Sequence, residues 1–103
     1  MSERIRVAQA DQPASGQSKL IRGRGHKIAL FNLDGAFFAL ENACPHSTGP
    51  LADGRLFGTT VTCPWHGAKF DVTNGHCLNG PATTNAITYN ILVEGNDIFI
   101  EVP

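Results

Sequence analysis

The sequence contains two short segments of similar composition, Cys44-Pro45-His46 and Cys63-Pro64-Trp65-His66. Each segment carries one thiol and one imidazole, and sixteen residues separate His46 from Cys63. Structural zinc sites usually group their ligands as a pair of cysteines followed by a pair of histidines. Pairing Cys with His twice suits a two-iron centre instead, in which both thiolates bind one iron and both imidazoles bind the other. We therefore expect an iron–sulfur site, with a zinc site or unmetallated thiols as the alternative.

Prolines and glycines flank both segments. Pro45 and Pro64 fix the backbone just after each cysteine, and neither offers an amide hydrogen there. Gly49 and Gly67 allow tight turns, so that nearby amide groups can point at sulfur. Such hydrogen bonds stabilise the reduced, more negative state of a cluster and raise its reduction potential. The segment Gly80-Pro81-Ala82 is a candidate for shielding the cluster from a third side, with an ordinary turn as the alternative.

The length and charge of the chain limit its possible functions. With 103 residues we expect one domain, and the formal charge of −1 gives no overall attraction to nucleic acids or membranes. Six of the eight basic residues precede residue 28, where we expect a solvated surface, with contact to an acidic partner as the alternative. These residues are Arg4, Arg6, Lys19, Arg22, Arg24 and Lys27.

The sequence shows no signal for export or membrane insertion. Glu3, Arg4 and Arg6 interrupt the N-terminus before an apolar stretch forms. The longest unbroken apolar run, residues 36–40, falls far short of the roughly 20 residues that span a bilayer. Three cysteines make a poor disulfide framework, because one is left over. Thiols that are kept reduced as metal ligands fit a reducing compartment better. We therefore expect a soluble cytoplasmic protein, monomeric and without membrane or nucleic-acid partners.

Short strands separated by glycine make up most of the remaining sequence. The strongest signals are two β-hairpins, with turns at Asp34-Gly35 and Gly95-Asn96. No window of eleven or more residues has a helical apolar period. The predicted fold class is all-β, an antiparallel β-sandwich or small barrel with the metal loops at one end. The predicted strands cover residues 5–8, 20–22, 27–33, 36–41, 87–94 and 97–102.

Residues 43–82 differ in composition from the rest of the chain. They are rich in Gly, Pro, Asn and Thr, and they contain all four candidate ligands. We expect a single domain, residues 1–103, with a loop-built cluster-binding subdomain at about residues 43–82. This subdomain would be inserted into a β base formed by residues 1–42 and 83–103.

Longer motifs around the ligand pairs resemble one known family. They are Cys44-Pro45-His46-Ser47-Thr48-Gly49, Cys63-Pro64-Trp65-His66-Gly67-Ala68-Lys69-Phe70-Asp71, Thr73-Asn74-Gly75 and Pro81. These motifs closely resemble the cluster-binding segment of Rieske proteins. The resemblance implies one Rieske 2Fe–2S cluster. It also implies that Cys44 and Cys63 bind the buried iron, and that His46 and His66 bind the outer iron near the surface.

Four positions indicate which branch of the family the chain resembles. Respiratory and photosynthetic Rieske proteins carry a disulfide between the two ligand loops, but the matching positions here are Gly49 and Trp65. They also commonly carry a Ser and a Tyr that donate hydrogen bonds to cluster sulfurs, where this chain has Ala68 and Phe70. Fewer donors leave the reduced state less stabilised, so we expect a potential in the lower part of the Rieske range. The chain thus resembles a free-standing Rieske ferredoxin of bacterial oxygenase systems.

The resemblance implies electron transfer rather than catalysis, because the cluster is coordinatively full and no open iron motif is visible. The implied donor is an NAD(P)H-dependent flavoprotein ferredoxin reductase. The implied acceptor is a terminal oxygenase that attacks aromatic or related substrates. The alternative is a small Rieske-like subunit of a nitrite reductase or a similar multi-component reductase. Cys77 lies outside the motif and is expected to be a structural thiol.

Overall fold

The computed structural model describes residues 3–45, 48–65, 67–79 and 84–103. Within these ranges the chain forms antiparallel strands and two single-turn 3₁₀ helices, Gln9–Asp11 and Leu51–Asp53. The strands are β1 (Glu3–Val7), β2 (Ser18–Gly23), β3 (His26–Leu33), β4 (Ala36–Glu41), β5 (Arg55–Phe57), β6 (Thr60–Thr62), β7 (Lys69–Asp71), β8 (Thr88–Tyr89), β9 (Ile91–Glu94) and β10 (Asp97–Val102). No helix in the described ranges has the length and apolar character needed to cross a membrane. The prediction of an all-β fold is confirmed.

The strands form three antiparallel sheets. The first sheet has the order β1-β10-β9, the middle sheet β2-β3-β4-β8, and the third sheet β5-β6-β7. We call the third sheet the site sheet, because Cys63 lies in the connection between β6 and β7. Cys44 lies in the connection that leaves β4 of the middle sheet. The candidate ligand segments therefore belong to the region where the middle sheet and the site sheet meet.

The middle sheet is buried on both faces, which explains the apolar run in β3. Successive side chains of a strand point to opposite faces. Ile28 and Leu30 pack in an apolar cluster with the first sheet, whereas Ala29 and Phe31 pack in a second cluster with the site sheet. All four side chains are fully buried. The second cluster also contains both candidate cysteines, so the site is built on the same core that joins the two sheets.

Both predicted hairpins are present. β3 and β4 pair from Leu33 opposite Ala36, across a turn in which Asp34 has φ 55° and Gly35 has φ 92°. Two successive positive φ values are the signature of the type I′ turn that Asp-Gly favours. The side chain of Asn32 reinforces this turn, because its Oδ1 accepts a hydrogen bond of 2.7 Å from the Gly35 amide. The β9–β10 hairpin turns at Gly95, which also has a positive φ, of 62°.

Two features of the strands differ from the sequence predictions. The strand predicted over residues 87–94 is broken at Asn90, because β8 pairs with β4 of the middle sheet while β9 pairs with β10 of the first sheet. The chain thus changes sheets at Asn90, whose carbonyl oxygen accepts a hydrogen bond of 2.9 Å from the Glu101 amide. The sequence analysis also missed the site sheet. Its strands have three residues each, too few to show a periodic pattern.

Candidate metal centre

Cys44 and Cys63 occupy equivalent places at the ends of strands. Cys63 follows β6 directly, and Cys44 comes three residues after the end of β4. Each cysteine is only 1% exposed, and both belong to the apolar cluster between the middle sheet and the site sheet. The structure therefore places the two candidate thiols in one buried environment.

The first ligand loop closes on itself through two backbone hydrogen bonds. The amide of Cys44 donates to the carbonyl oxygen of Gly49 at 2.9 Å, and the amide of Thr48 donates to the carbonyl oxygen of Cys44 at 2.8 Å. Thr48 has a φ of 56°, in the left-handed region that non-glycine residues seldom adopt. These hydrogen bonds therefore hold Cys44 next to Thr48 and Gly49 at the other end of the loop.

The second ligand loop repeats this backbone pattern residue for residue. The amide of Cys63 donates to the carbonyl oxygen of Ala68 at 2.8 Å, and the amide of Gly67 donates to the carbonyl oxygen of Cys63 at 3.1 Å. Gly67, the fourth residue after the cysteine, has a φ of 73° and so matches Thr48 in the first loop. The two loops thus share a pair of backbone hydrogen bonds and a positive φ, and each presents one buried thiol.

The two loops meet at Gly49. A Cβ atom at this position would lie 2.7 Å from Cys63 Sγ and 3.1 Å from Cγ of Trp65. Approaches below 3.0 Å essentially never occur for real Cβ atoms, so the close contact requires glycine at residue 49. Gly49 and Trp65 are also the positions that match the disulfide-forming cysteines of respiratory and photosynthetic Rieske proteins. No disulfide can form between them here.

Asn42 supports the first loop, and the sequence analysis did not identify it. This buried residue receives a hydrogen bond of 2.8 Å on its Oδ1 from the Ala52 amide. Its backbone amide donates to Lys27 and its carbonyl oxygen accepts from Leu51. A buried asparagine bonded on three sides ties the entrance of the first loop to β3 and to the 3₁₀ turn that follows the loop.

Asn79 supports the second loop, and it too was missed. Its Oδ1 accepts a hydrogen bond of 2.8 Å from the Lys69 amide, and its Nδ2 donates to the carbonyl oxygen of Gly67 at 3.2 Å. Its own carbonyl oxygen accepts a bond of 3.0 Å from Cys77 Sγ. Cys77 is half-buried. These contacts hold residues 77–79 against the second loop; the segment Gly80-Pro81-Ala82 that follows lies outside the described residues.

The two candidate imidazoles, His46 and His66, also lie outside the described residues. Within the ranges that the structure describes, no group of three or more His, Cys, Asp or Glu side chains could hold a metal ion. The four-residue ligand set therefore stays a prediction. The described part fits such a cluster, because two buried thiols, which are soft ligands suited to iron–sulfur clusters, belong to the same apolar cluster of side chains.

The surroundings of the thiols are apolar. Ala68 is 3% exposed and Phe70 is completely buried, and both belong to the cluster that contains the cysteines. The positions that carry hydroxyl donors in respiratory and photosynthetic Rieske proteins are therefore inside this protein. They lie within the apolar packing around the thiols.

The basic residues of the N-terminal third are surface residues of the base, as expected, and four of the six are paired with acids. The pairs are Arg4–Glu94, Arg6–Asp97, Lys19–Asp11 and Arg24–Glu3. At least one partner of each pair is well exposed to solvent, so these ion pairs contribute little to stability. They also balance most of the positive charge on this side of the molecule.

Comparisons with known proteins agree with the geometry. A family model described as "Rieske [2Fe-2S] domain" matches residues 3–90. The 3-phenylpropionate/cinnamic acid dioxygenase ferredoxin subunit of Escherichia coli (strain K12) is 44% identical over 77 residues, which cover 74% of this chain and 73% of the relative. The ferredoxin component of the naphthalene 1,2-dioxygenase system of Pseudomonas aeruginosa is 36% identical over 78 residues, which cover 76% and 75%. The solved structure of a Sphingomonas yanoikuyae B1 ferredoxin superposes with a TM-score of 0.87 at 28% identity, covering 98% of this chain and 100% of that one.

Proposed function

The chain belongs to the Rieske 2Fe–2S domain family, and from this premise we propose that it is a one-electron carrier, the ferredoxin component of a dioxygenase system. The observation that carries this proposal is the pair of buried thiols, Cys44 and Cys63, on loops with the same backbone pattern. Relatives with 44% and 36% identity are named as ferredoxin components of dioxygenase systems, that is, as electron-transfer subunits. The protein is therefore not itself an oxygenase.

We propose that four residues hold the cluster. Cys44 and Cys63 bind the inner iron, and their burial in the apolar cluster supports this assignment. His46 and His66 bind the outer iron, because each follows a cysteine at the spacing of the Rieske ligand set. Zinc is disfavoured for this set, since the cysteines are not paired in sequence as zinc motifs require.

The protein side of the mechanism consists of holding the cluster and tuning its potential. When bound, the cluster accepts one electron and gives it up again. Two thiolates and two neutral imidazoles leave the oxidised centre close to neutral, so reduction creates a net negative charge. The apolar core behind Cys44 and Cys63 does not stabilise that charge, and neither Ala68 nor Phe70 has a hydroxyl to donate. The potential therefore lies in the lower part of the Rieske range.

We propose an NAD(P)H-dependent flavoprotein reductase as the electron donor and a terminal oxygenase as the acceptor. The names of the relatives support an oxygenase that acts on aromatic or aryl-substituted compounds. We further propose that the carrier is a monomer of 11.0 kDa, which light scattering tests directly. Thiolate ligands and the Cys77 thiol fit a reducing compartment, so we infer that it works in the cytoplasm.

The alternative of a small subunit of a nitrite reductase is less favoured. A putative small subunit of an NADH-dependent nitrite reductase from Mycobacterium tuberculosis superposes with a TM-score of 0.85, but at 22% identity this shows a common fold only. The relatives with higher identity are named as ferredoxin components. The retention of both cysteines of the ligand motif also favours a carrier over a purely structural subunit.

Two measurements on purified protein test the proposal. We expect about two irons and two acid-labile sulfides per chain, and an EPR signal that appears only after reduction. We also expect the protein to link an NAD(P)H-dependent ferredoxin reductase to a ring-hydroxylating oxygenase in a reconstituted assay. Stoichiometric zinc without sulfide would contradict the cluster, and a cluster that supports no oxygenase turnover would contradict the assignment to a dioxygenase system.

A further inference from the structure

Gly49 is the point at which the backbone of the first ligand loop rests on the second. A Cβ atom there would lie 2.7 Å from Cys63 Sγ, and 3.1 Å and 3.2 Å from Cγ and Cδ2 of Trp65. Its φ does not lie in the left-handed region, so close approach, and not backbone conformation, is what requires glycine. The first loop therefore packs directly on the thiol and on the indole ring of the second loop.

The position of Trp65 suits a contact between the loops. The residue is 57% exposed, yet its ring reaches Gly49 and lines a groove of about 490 Å³ together with Thr48 and Pro50 of the first loop. One side of the ring thus faces the first loop while the rest meets solvent. A large aromatic side chain placed in this way contributes contact area at a low cost in conformational entropy.

A second exposed aromatic residue, Phe57, lies in a different environment from Trp65. Phe57 is 85% exposed at the end of β5. Unlike Trp65, it is not among the nearest side chains at any glycine that the structure describes. It serves as a matched control for Trp65, because it is aromatic, exposed and also lies between residues 43 and 82.

We propose that Trp65, resting on Gly49, is a positioning residue that holds the two ligand loops at a fixed separation. The hydrogen bonds described for Cys44 and Cys63 close each loop on itself and so fix its shape. The contact of Trp65 with Gly49 runs between the loops and so bears on their separation. The indole also lies beside the space next to Cys63 Sγ and limits the access of water to that sulfur. This inference rests on the proposed ligand set.

The first test compares holoproteins of the wild type, Trp65→Ala, Trp65→Phe and Phe57→Ala. In excess chelator, Trp65→Ala should lose its cluster about tenfold faster than the wild type, which corresponds to about 1.4 kcal/mol of barrier. Trp65→Phe should recover most of the wild-type lifetime, and Phe57→Ala should match the wild type. The reduction potential of Trp65→Ala should shift upward, because added water stabilises the more negative reduced state. The potential of Phe57→Ala should not change.

The decisive readout is hydrogen exchange on the first loop after a change in the second. In Trp65→Ala the amides of Cys44 and Thr48 should exchange faster, although the substitution lies on the other loop. Unchanged exchange at these two amides overturns the inference, as does a Trp65→Ala holoprotein with wild-type lifetime and potential. If Trp65→Ala takes up no cluster, Trp65→Phe decides: recovery of the cluster supports the inference, and failure of both variants overturns it.

A substitution at Gly49 provides an independent arm. Gly49→Ala should reduce cluster content severalfold, because its methyl group would collide with Cys63 Sγ and crowd the Trp65 ring. The double variant Gly49→Ala/Trp65→Ala should lose less than the product of the two single effects, since two of the three nearest atoms belong to the ring. Fully multiplicative losses would overturn the coupling. Zinc in the wild-type protein would instead defeat the proposed function, while the exchange experiment would still report on the contact between the loops.

Discussion

The three cysteine side chains lie in different environments, which bears on whether each can bind a metal. Cys44 and Cys63 are almost completely buried in an apolar cluster, where a thiolate without a partner would be costly. A bound iron compensates that cost, so deep burial and a ligand role are compatible. Cys77 is in a different environment, half-buried, with Sγ donating to the carbonyl oxygen of Asn79. This thiol has a hydrogen-bond partner within the protein and does not require a metal.

The ligand assignment predicts a sharp difference among the cysteines and histidines. Replacing Cys44, His46, Cys63 or His66 by Ala should abolish cluster assembly. Each of these substitutions removes one of the two protein ligands of one iron. Cys77→Ala should keep the visible and EPR spectra of the wild type and serves as the matched control. Loss of the cluster in the Cys77 variant, or a normal spectrum in any of the other four, would show that the ligands are wrongly assigned.

The apolar residues beside the thiols predict how the potential can be changed. Ala68→Ser and Phe70→Tyr each introduce a hydroxyl at a position that donates to cluster sulfurs in other Rieske proteins. Each should raise the reduction potential by roughly tens of millivolts, since about 59 mV for one electron equals the ~1.4 kcal/mol of a hydrogen bond to a charged group. Protein-film voltammetry measures the shift. A double variant with wild-type potential would mean that backbone amides and solvent exposure set the potential instead.

Among the elements, those with local sequence signals were predicted well. The turn at Asp34-Gly35 has positive φ at both residues, which is a property of the dipeptide itself. The ligand pairs are local motifs too, so Cys44 and Cys63 were identified without the fold. The break at Asn90 was not predicted, because it depends on β8 and β9 pairing with different sheets. Asn42 and Asn79 were missed for the same reason, since their side-chain partners lie about ten residues away in sequence.

One side-chain contact joins β4 to β8 and has a consequence at high pH. The hydroxyl of Tyr89 donates a hydrogen bond of 2.7 Å to the Glu41 carboxylate. Burial, followed by the hydrogen bond and the charge of Glu41, raises the pKa of Tyr89 to about 12 from 10.0. The folded protein therefore holds this proton more tightly than the unfolded chain does. The stabilisation is present below pH 10 and is lost as the pH rises from 10 towards 12.

The measurement is the free energy of unfolding as a function of pH in the wild type and in Tyr89→Phe. The wild-type value should fall more steeply above pH 10 than that of the variant, which has no phenol to titrate. Tyr89 is the only tyrosine in the chain, so tyrosinate absorbance reports on it alone. Parallel curves for the two proteins would contradict the raised pKa.

In the whole molecule, the middle sheet lies between two apolar clusters of side chains that differ in composition. On one side it packs against the first sheet through Ile28 and Leu30, in a cluster that contains no candidate ligand. On the other side the shared cluster includes Cys44 and Cys63 themselves, so part of the packing there consists of groups that bind the metal. The site sheet has three strands of only three residues each. We therefore expect the stability of the site sheet to depend more strongly on the bound 2Fe–2S cluster than the stability of the first and middle sheets does.

This dependence predicts different responses to removal of the cluster. We propose the division into a cluster-binding part, about residues 43–82, and a base formed by residues 1–42 and 83–103. In the apo form the amides of β6 and β7 should exchange much faster with solvent than in the holo form, because metal binding supplies part of the folding free energy of that region. The amides of β3, β4 and β10 should keep most of their protection, since none of the proposed metal ligands is a member of the apolar cluster that contains Ile28, Leu30 and Ile100. Hydrogen exchange on both forms measures this difference.

Equal protection of β6 and β7 in apo and holo protein would show that the site sheet folds without the 2Fe–2S cluster. Uniform loss of protection across all strands in the apo protein would show that the chain folds as one cooperative unit.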